Sequence, residues 1–148
     1  MSAIIQTQTT SFKAELYQGI HDLLTDTIRI ALYTANANLN EATVAYTTSA
    51  EVVGSGYTAG GQILSVEGGA INTLGYVAYV NFNNVSWAPA AFTARCALIY
   101  NASKLNPSTG TGRAIAILDF GSDKTATNTF AITMPQNTAN TALIRSSV

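Results

Sequence analysis

The chain has 148 residues, 47% of them hydrophobic but only 10% charged, with a net charge of −1. An average soluble protein carries about 25% charged residues, so Thr, Ser, Asn and Gln here take the place of the missing charge. Disorder, which goes with low hydrophobicity and high net charge, is excluded. So is a duplex nucleic-acid binder, because the seven basic residues are scattered and balanced by eight acids and form no basic footprint.

Other classes fall with these. The apolar runs are only a few residues long, far short of the ~20 that a membrane-spanning helix needs. The first ten residues have neither the basic nor the apolar region of a secretory signal, and none is expected. The single cysteine, Cys96, allows no intrachain disulfide and no multi-cysteine zinc site. The single histidine, His21, leaves few routes to conventional catalysis. The expectation is a non-enzyme, with no cofactor, no metal, and neither nucleic acid nor membrane as partner.

Residues 1–10 read as an extended N-terminal arm or edge strand, polar apart from Ile4 and Ile5. From Ser11 the period changes. Phe12, Leu16, Ile20, Leu23 and Leu24 form one helical stripe, predicting a helix over about residues 11–25. Ser11 is its candidate N-cap and Glu15 complements the helix dipole. Gly19 lowers the propensity without interrupting the stripe.

Beyond residue 25 the period is two. Ile28, Ile30 and Leu32 predict a half-buried strand through Tyr33. The asparagines at 36, 38 and 40 mark a turn, and Val44 and Tyr46 a short edge strand. The glycine-rich stretch 54–61 is a bend, followed by a strand over 62–66 and a Gly68-Gly69 turn. Alternation predicts strands over 76–82 and 92–100, the latter with Phe92, Ala94, Cys96, Leu98 and Tyr100 on one face. Asn83-Asn84 is a kink before Val85 and Trp87, and Pro89 ends that segment. Residues 101–112 read as an exposed loop, 113–120 as a buried central strand, and 121–128 as a turn. Phe130, Ile132 and Met134 alternate up to Pro135, and 141–146 forms a last strand. One early helix and about eight short strands predict an all-β fold, a β-sandwich or jelly-roll-like domain over 11–148.

Each residue that could carry chemistry has a structural alternative. His21 lacks any accompanying nucleophile motif and reads as a structural hydrogen-bonding group. Asp119-Phe120-Gly121 matches the magnesium-holding triplet of protein kinases, but the other kinase elements are absent. Asp119 and Asp123 could share a calcium ion, although a turn with Asp123 capping backbone amides accounts for the pattern better. Residues 54–61 lack the lysine and following helix of a phosphate loop. Cys96 reads as a small buried hydrophobe. Trp87, with Asn83 and Asn84, is either a sugar-stacking platform or a core anchor.

Several ordered motifs carry a resemblance. Ser11-Phe12-Lys13 with Leu16, Gly19 and His21 comes first, then Ile30-Ala31-Leu32-Tyr33-Thr34, then Glu51-Val52 followed by Gly56-Tyr57-Thr58-Ala59-Gly60-Gly61. Ala94-Arg95, Ala97-Leu98-Ile99-Tyr100-Asn101 and Ala116 with Leu118-Asp119-Phe120-Gly121-Ser122-Asp123-Lys124 complete the set. From about residue 10 to the C-terminus the chain resembles a group of small virion structural proteins of tailed bacteriophages. The resemblance implies a head decoration, or cement, protein on the outer surface of the virion, made in the host cytoplasm. Its expected partners are the major capsid protein and further copies of itself, as a dimer or trimer. A tail-associated or host-recognition module binding glycans through Trp87 and the Asn-rich loops is the alternative. The group supplies no site motif that transfers residue by residue.

Overall fold

A computed structural model describes residues 4–147 of the chain. The elements in order are β1 (Thr7–Gln8), α1 (Thr10–Tyr17), β2 (Ile28–Tyr33), β3 (Gln62–Leu64), a 3₁₀ turn (Glu67–Gly69), β4 (Asn72–Leu74), β5 (Val77–Val80), β6 (Val85–Trp87), β7 (Phe92–Leu105), β8 (Gly112–Ala126), β9 (Phe130–Ile132) and β10 (Ile144–Ser146). The fold is all-β with one N-terminal helix. A five-stranded sheet runs in the order β1-β8-β7-β2-β3, and two small sheets, β10-β5-β4 and β6-β9, complete it. All the strand pairs are antiparallel.

The five-stranded sheet is buried on both faces. One face, carrying Ile28, Ile30, Leu32, Ile99 and Ile115, packs against Phe12 of the helix and against Val80, Trp87, Phe130 and Ile144 of the small sheets. The other, carrying Tyr33, Cys96, Leu98 and Ile117, is covered by the 34–50 connection through Ala37, Leu39 and Tyr46. Two-sided burial explains why β2 and the first half of β8 are apolar at nearly every position.

The helix is shorter than its stripe predicts. Its cap is Thr9, not Ser11: the Thr9 hydroxyl accepts the Phe12 N–H at 3.2 Å. It ends at Tyr17 because the Gly19 N–H turns back to the Leu16 carbonyl and the Ile20 N–H to that of Glu15. That paired closure needs a left-handed residue between, and Gly19 supplies it at φ +69°. Gly19 therefore terminates the helix, and Leu23 and Leu24, at helical spacing, sit in the loop that follows. Glu15 lies beyond the first turn and works through ion pairs, not the dipole.

The expected alternation of 92–100 breaks at Arg95. The register shifts between Ala94 and Cys96, where β8 loops out residues 120–123. Phe92 and Ala94 therefore share a core with Ala97 and Ile99, while Cys96, Leu98 and Tyr100 face the opposite one. A one-residue slip exchanges the faces of a strand, and this bulge lets β7 serve both cores. Nor is 101–112 a loop: β7 continues to Leu105 and β8 begins at Gly112. Likewise 121–128 is no simple turn, since Lys124, Thr125 and Ala126 pair with Ala94, Thr93 and Phe92. Of the two readings of the arm, the structure takes the edge strand. Ile5 donates to the Leu39 carbonyl, Thr7 and Gln8 pair with β8, and the Gln6 side chain accepts the Asp119 N–H. Its described part thus lies on its own chain; residues 1–3 of the arm, and Val148, fall outside the described residues.

Candidate functional site

Two networks gather the buried carboxylates Glu15 and Glu51, while buried Asn81 separately donates to Glu67 and to the Pro135 carbonyl and accepts the Leu143 N–H. In the first, the Glu15 carboxylate accepts from His21 Nε2 at 2.8 Å and from Arg113 Nη1 at 2.7 Å. The Asn101 amide nitrogen lies 3.0 Å from His21 Nδ1 and 2.7 Å from an Asp26 oxygen. Its own oxygen accepts the Ser103 and Lys104 N–H groups, which fixes the amide's orientation. His21 Nδ1 must therefore be the acceptor, and Nε2 carries the proton donated to Glu15. Lys104 closes the network with a 2.8 Å ion pair to Asp26. Burial pushes the Asp26 carboxyl upward, but Lys104, Asn101 and the Asp22 N–H together outweigh it and hold the group below its ordinary 3.8. The imidazole is fully buried, both nitrogens are occupied, and no hydroxyl or thiol of the described residues hydrogen-bonds to it. This His-carboxylate pair pins the 18–27 loop to β7 and β8, as the structural reading of His21 anticipates.

The second network surrounds Glu51, which sequence reasoning did not single out. Its carboxylate accepts the Tyr46 and Tyr57 hydroxyls, each at 2.6 Å, and the Gly60 N–H at 2.8 Å. The Gly60 carbonyl accepts from Tyr100 Oη and Arg29 Nε, and that of Gly61 from Arg29 Nη2. The glycine-rich stretch is thus a clamped loop that seats against β2. A Cβ on Gly61, at φ +75°, would lie 1.7 Å from the Ile30 carbonyl oxygen. Burial, reinforced by the Glu51 bond, pushes the Tyr57 hydroxyl far above its ordinary 10.0, so it stays a neutral donor.

The other candidates separate. Asp119 pairs with Arg95 at 3.4 Å and accepts the Gly121 N–H; it, not Asp123, caps the local backbone. Among the described residues no three His, Cys, Asp or Glu side chains group to hold a metal. Cys96 is buried and its thiol is pushed up to about 12, chiefly by that burial, which makes it an inert core residue. Trp87 is 3% exposed and packs edge-on against Phe92 and Phe130. It is the core anchor, and no sugar can stack on it.

What remains is surface. The shortened helix and the loop after it leave two adjoining clefts. One, of about 420 Å³, lies between Leu16, Leu23 and the β10-β5-β4 sheet, with Ile71 on its wall. The other, of about 340 Å³, is lined by Leu23, Leu24, Ile63 and Leu64. Leu23 belongs to both, so they form one continuous face. Ile63 is 63% exposed, Leu24 49% and Ile71 45%. Single exposed apolar side chains mean little, but a contiguous set marks an interaction site. A third opening, of about 410 Å³, lies beside β9 over Phe120 and Phe130, with Lys124 at its edge. Its lining includes no carboxylate or imidazole. The signal for the main face was present in the sequence as Leu23 and Leu24, which periodicity assigned to a helix's buried side.

No protein-family model, curated protein or solved structure matches the chain.

Proposed function

We propose that this protein is a structural component of a tailed-bacteriophage virion, a head decoration protein that binds the assembled shell and stabilises it. The observation that carries the reading is the set of exposed apolar side chains Leu16, Leu24, Ile63 and Ile71 around two clefts that share Leu23, with Asp22 and Asp26 also in their lining, on a chain with very little charge. The ordered motifs that resemble phage structural proteins support it. The mechanism is linkage: a protein that binds only the assembled shell stabilises that state by mass action. With few charges, the contact rests on apolar burial and resists salt.

The test adds purified protein to capsids lacking it and follows binding and the temperature of shell disruption. Bound protein and a raised disruption temperature, both lost with the double variant Leu24→Asp and Ile63→Asp, are the expected result. Both positions are exposed, so the variant should fold. Particles that neither bind the protein nor gain stability would overturn the reading. The glycan-binding alternative loses its aromatic platform with the burial of Trp87.

A further inference from the structure

Among the described residues, the outer edge of the β4–β5 hairpin has no partner. β5 lies between β10 and β4, so β4 is the outer strand of its sheet. Natural edge strands are protected by charge, proline, bulges or a covering segment. None of the first three is found here: residues 68–94 contain no charged residue, and the only proline in that span, Pro89, lies well away from the hairpin. Thr73 and Ala78 face each other and both are exposed, while Leu74, on the opposite face, is 65% exposed and Tyr76 at the tip 87%. The hairpin thus shows solvent both faces at its end.

Its turn fixes which backbone groups are free. Leu74 pairs with Val77 across the two-residue turn Gly75-Tyr76, with Gly75 at φ +59° and Tyr76 at negative φ. That is the type II′ arrangement, with glycine at its first central position. The closing pair Leu74–Val77 is then the hydrogen-bonded one, and alternation makes the next pair, Thr73–Ala78, non-bonded. The Thr73 N–H and C=O consequently point out of the sheet, toward the open edge.

We infer that this edge pairs with the same edge of a second copy, β4 against β4 across a two-fold axis through Thr73. Centred there, the two Thr73 residues exchange both outward hydrogen bonds, and each Asn72 faces the partner's Leu74. A two-fold interface presents each residue near its axis to its own copy, so charge there would meet like charge. The charge-free 68–94 span meets this demand, whereas a foreign partner would impose none. Threonine facing threonine is a favourable cross-strand pair, and the molecule already uses one, Thr93 to Thr125 at 2.8 Å. The pairing would join two three-stranded sheets into one of six strands. A two-fold perpendicular to such a sheet keeps corresponding faces on the same side, so the cleft that each copy holds against its Ala78 face would open in the same direction. The inference goes beyond the capsid reading and does not depend on it.

The experiment is analytical ultracentrifugation of the purified full chain, with no capsid present, for wild type and three variants. Wild type is expected to be a dimer. Thr73→Lys sets two ammonium groups against each other at the axis and should weaken the dimer by at least about tenfold. Thr73→Pro removes an outward N–H that the hairpin itself does not use and should do the same. Thr73→Val should remain dimeric. Far-UV circular dichroism and the melting temperature check that each variant is folded. A wild-type monomer at millimolar concentration, or a dimer indifferent to both Thr73→Lys and Thr73→Pro, overturns the inference. Neither result bears on capsid binding, and a wild-type monomer whose hairpin amides gain exchange protection only on capsids would assign the edge to a capsid strand instead.

Discussion

Replacing Glu51 with alanine tests the claim that a buried carboxylate holds the glycine-rich loop in place. Glu51 is 8% exposed and accepts three hydrogen bonds, from Tyr46, Tyr57 and Gly60. A hydrogen bond to a charged group is worth about 1.5–3 kcal/mol, and an orphaned buried donor costs about 1–3 kcal/mol. The three are not additive, because the Tyr46 hydroxyl is only part-buried and can turn to water. A net loss of about 3 kcal/mol is the reasonable figure, within the range for breaking a buried charged contact. With a urea m-value of about 2 kcal/mol/M, the unfolding midpoint should fall by about 1.5 M. Trp87 is the only tryptophan and is packed 6.2 Å from the Tyr57 ring, so its fluorescence reports the transition. Glu51→Gln refines the test. Its single amide oxygen can serve Tyr57 and Gly60 while its NH₂ donates to Tyr46, so it should cost less than half as much as alanine. A midpoint shift under about 0.5 M for Glu51→Ala, or equal damage from the two variants, would show that the acceptor count is not what holds the loop.

Three further outcomes follow from the same contacts. Gly61→Ala should cost upward of 4 kcal/mol, roughly the threshold of exceptional mutations, because its Cβ would overlap the Ile30 carbonyl. Gly75→Ala, with nothing within 4 Å of its Cβ, should cost only the ~1–3 kcal/mol of holding a side chain in a sparsely populated backbone region; equilibrium unfolding compares them. Burial pushes the Tyr33 and Tyr57 hydroxyls far above the ordinary 10.0, so the unfolded chain loses their protons first as pH climbs past that value. Stability present below pH 10 should then fall by about 1.4 kcal/mol per pH unit for each tyrosine, and Tyr57→Phe should flatten that alkaline limb by one proton. Asp26 has the opposite sign. Its carboxyl is held below 3.8, so its contribution is full above that pH and lost as acid titrates the folded group; Asp26→Asn should flatten the acid limb of stability against pH below about 4.

Local patterns were legible where one physical demand acted alone. The apolar run of β2 and the burial of Cys96 follow from the hydrophobic pattern directly. The helix end did not, because Leu23 and Leu24 continue the spacing past Gly19, and spacing carries no sign of a reversal made by backbone hydrogen bonds. The exchange of faces at Arg95 depends on what β8 does some two dozen residues away. Asn101 looks like a loop residue, yet it lies fully buried within β7, satisfied by Asp26, His21, Ser103 and Lys104. The two buried glutamates were unreadable for different reasons. Glu15 meets Arg113 across 98 residues of chain, a pairing that only the tertiary fold makes. The Glu51 partners Tyr46, Tyr57 and Gly60 are near in sequence, but they converge through an irregular loop whose geometry no helical or strand period encodes.

The residues that carry the phage resemblance turn out to be chiefly those that hold the scaffold together. Phe12 fills the core, Gly19 closes the helix, and His21 joins the network at Asn101. Glu51, Tyr57, Gly60 and Gly61 make the clamped loop, and Leu118 and Asp119 lead into the stretch where β8 loops out opposite Arg95. By contrast Leu24, Ile63, Ile71, Thr73, Leu74 and Tyr76, of the open face and the outer edge, lie outside every one of those motifs; of the face only Leu16 belongs to one. A partner would touch mainly this second set, and its side chains can be exchanged without disturbing either core or either polar network. A resemblance built on the first set therefore speaks to how the chain folds, while what it binds is written in the second. That division makes the surface variants at Leu24, Ile63 and Thr73, and not substitutions in the motifs, the informative probes of function.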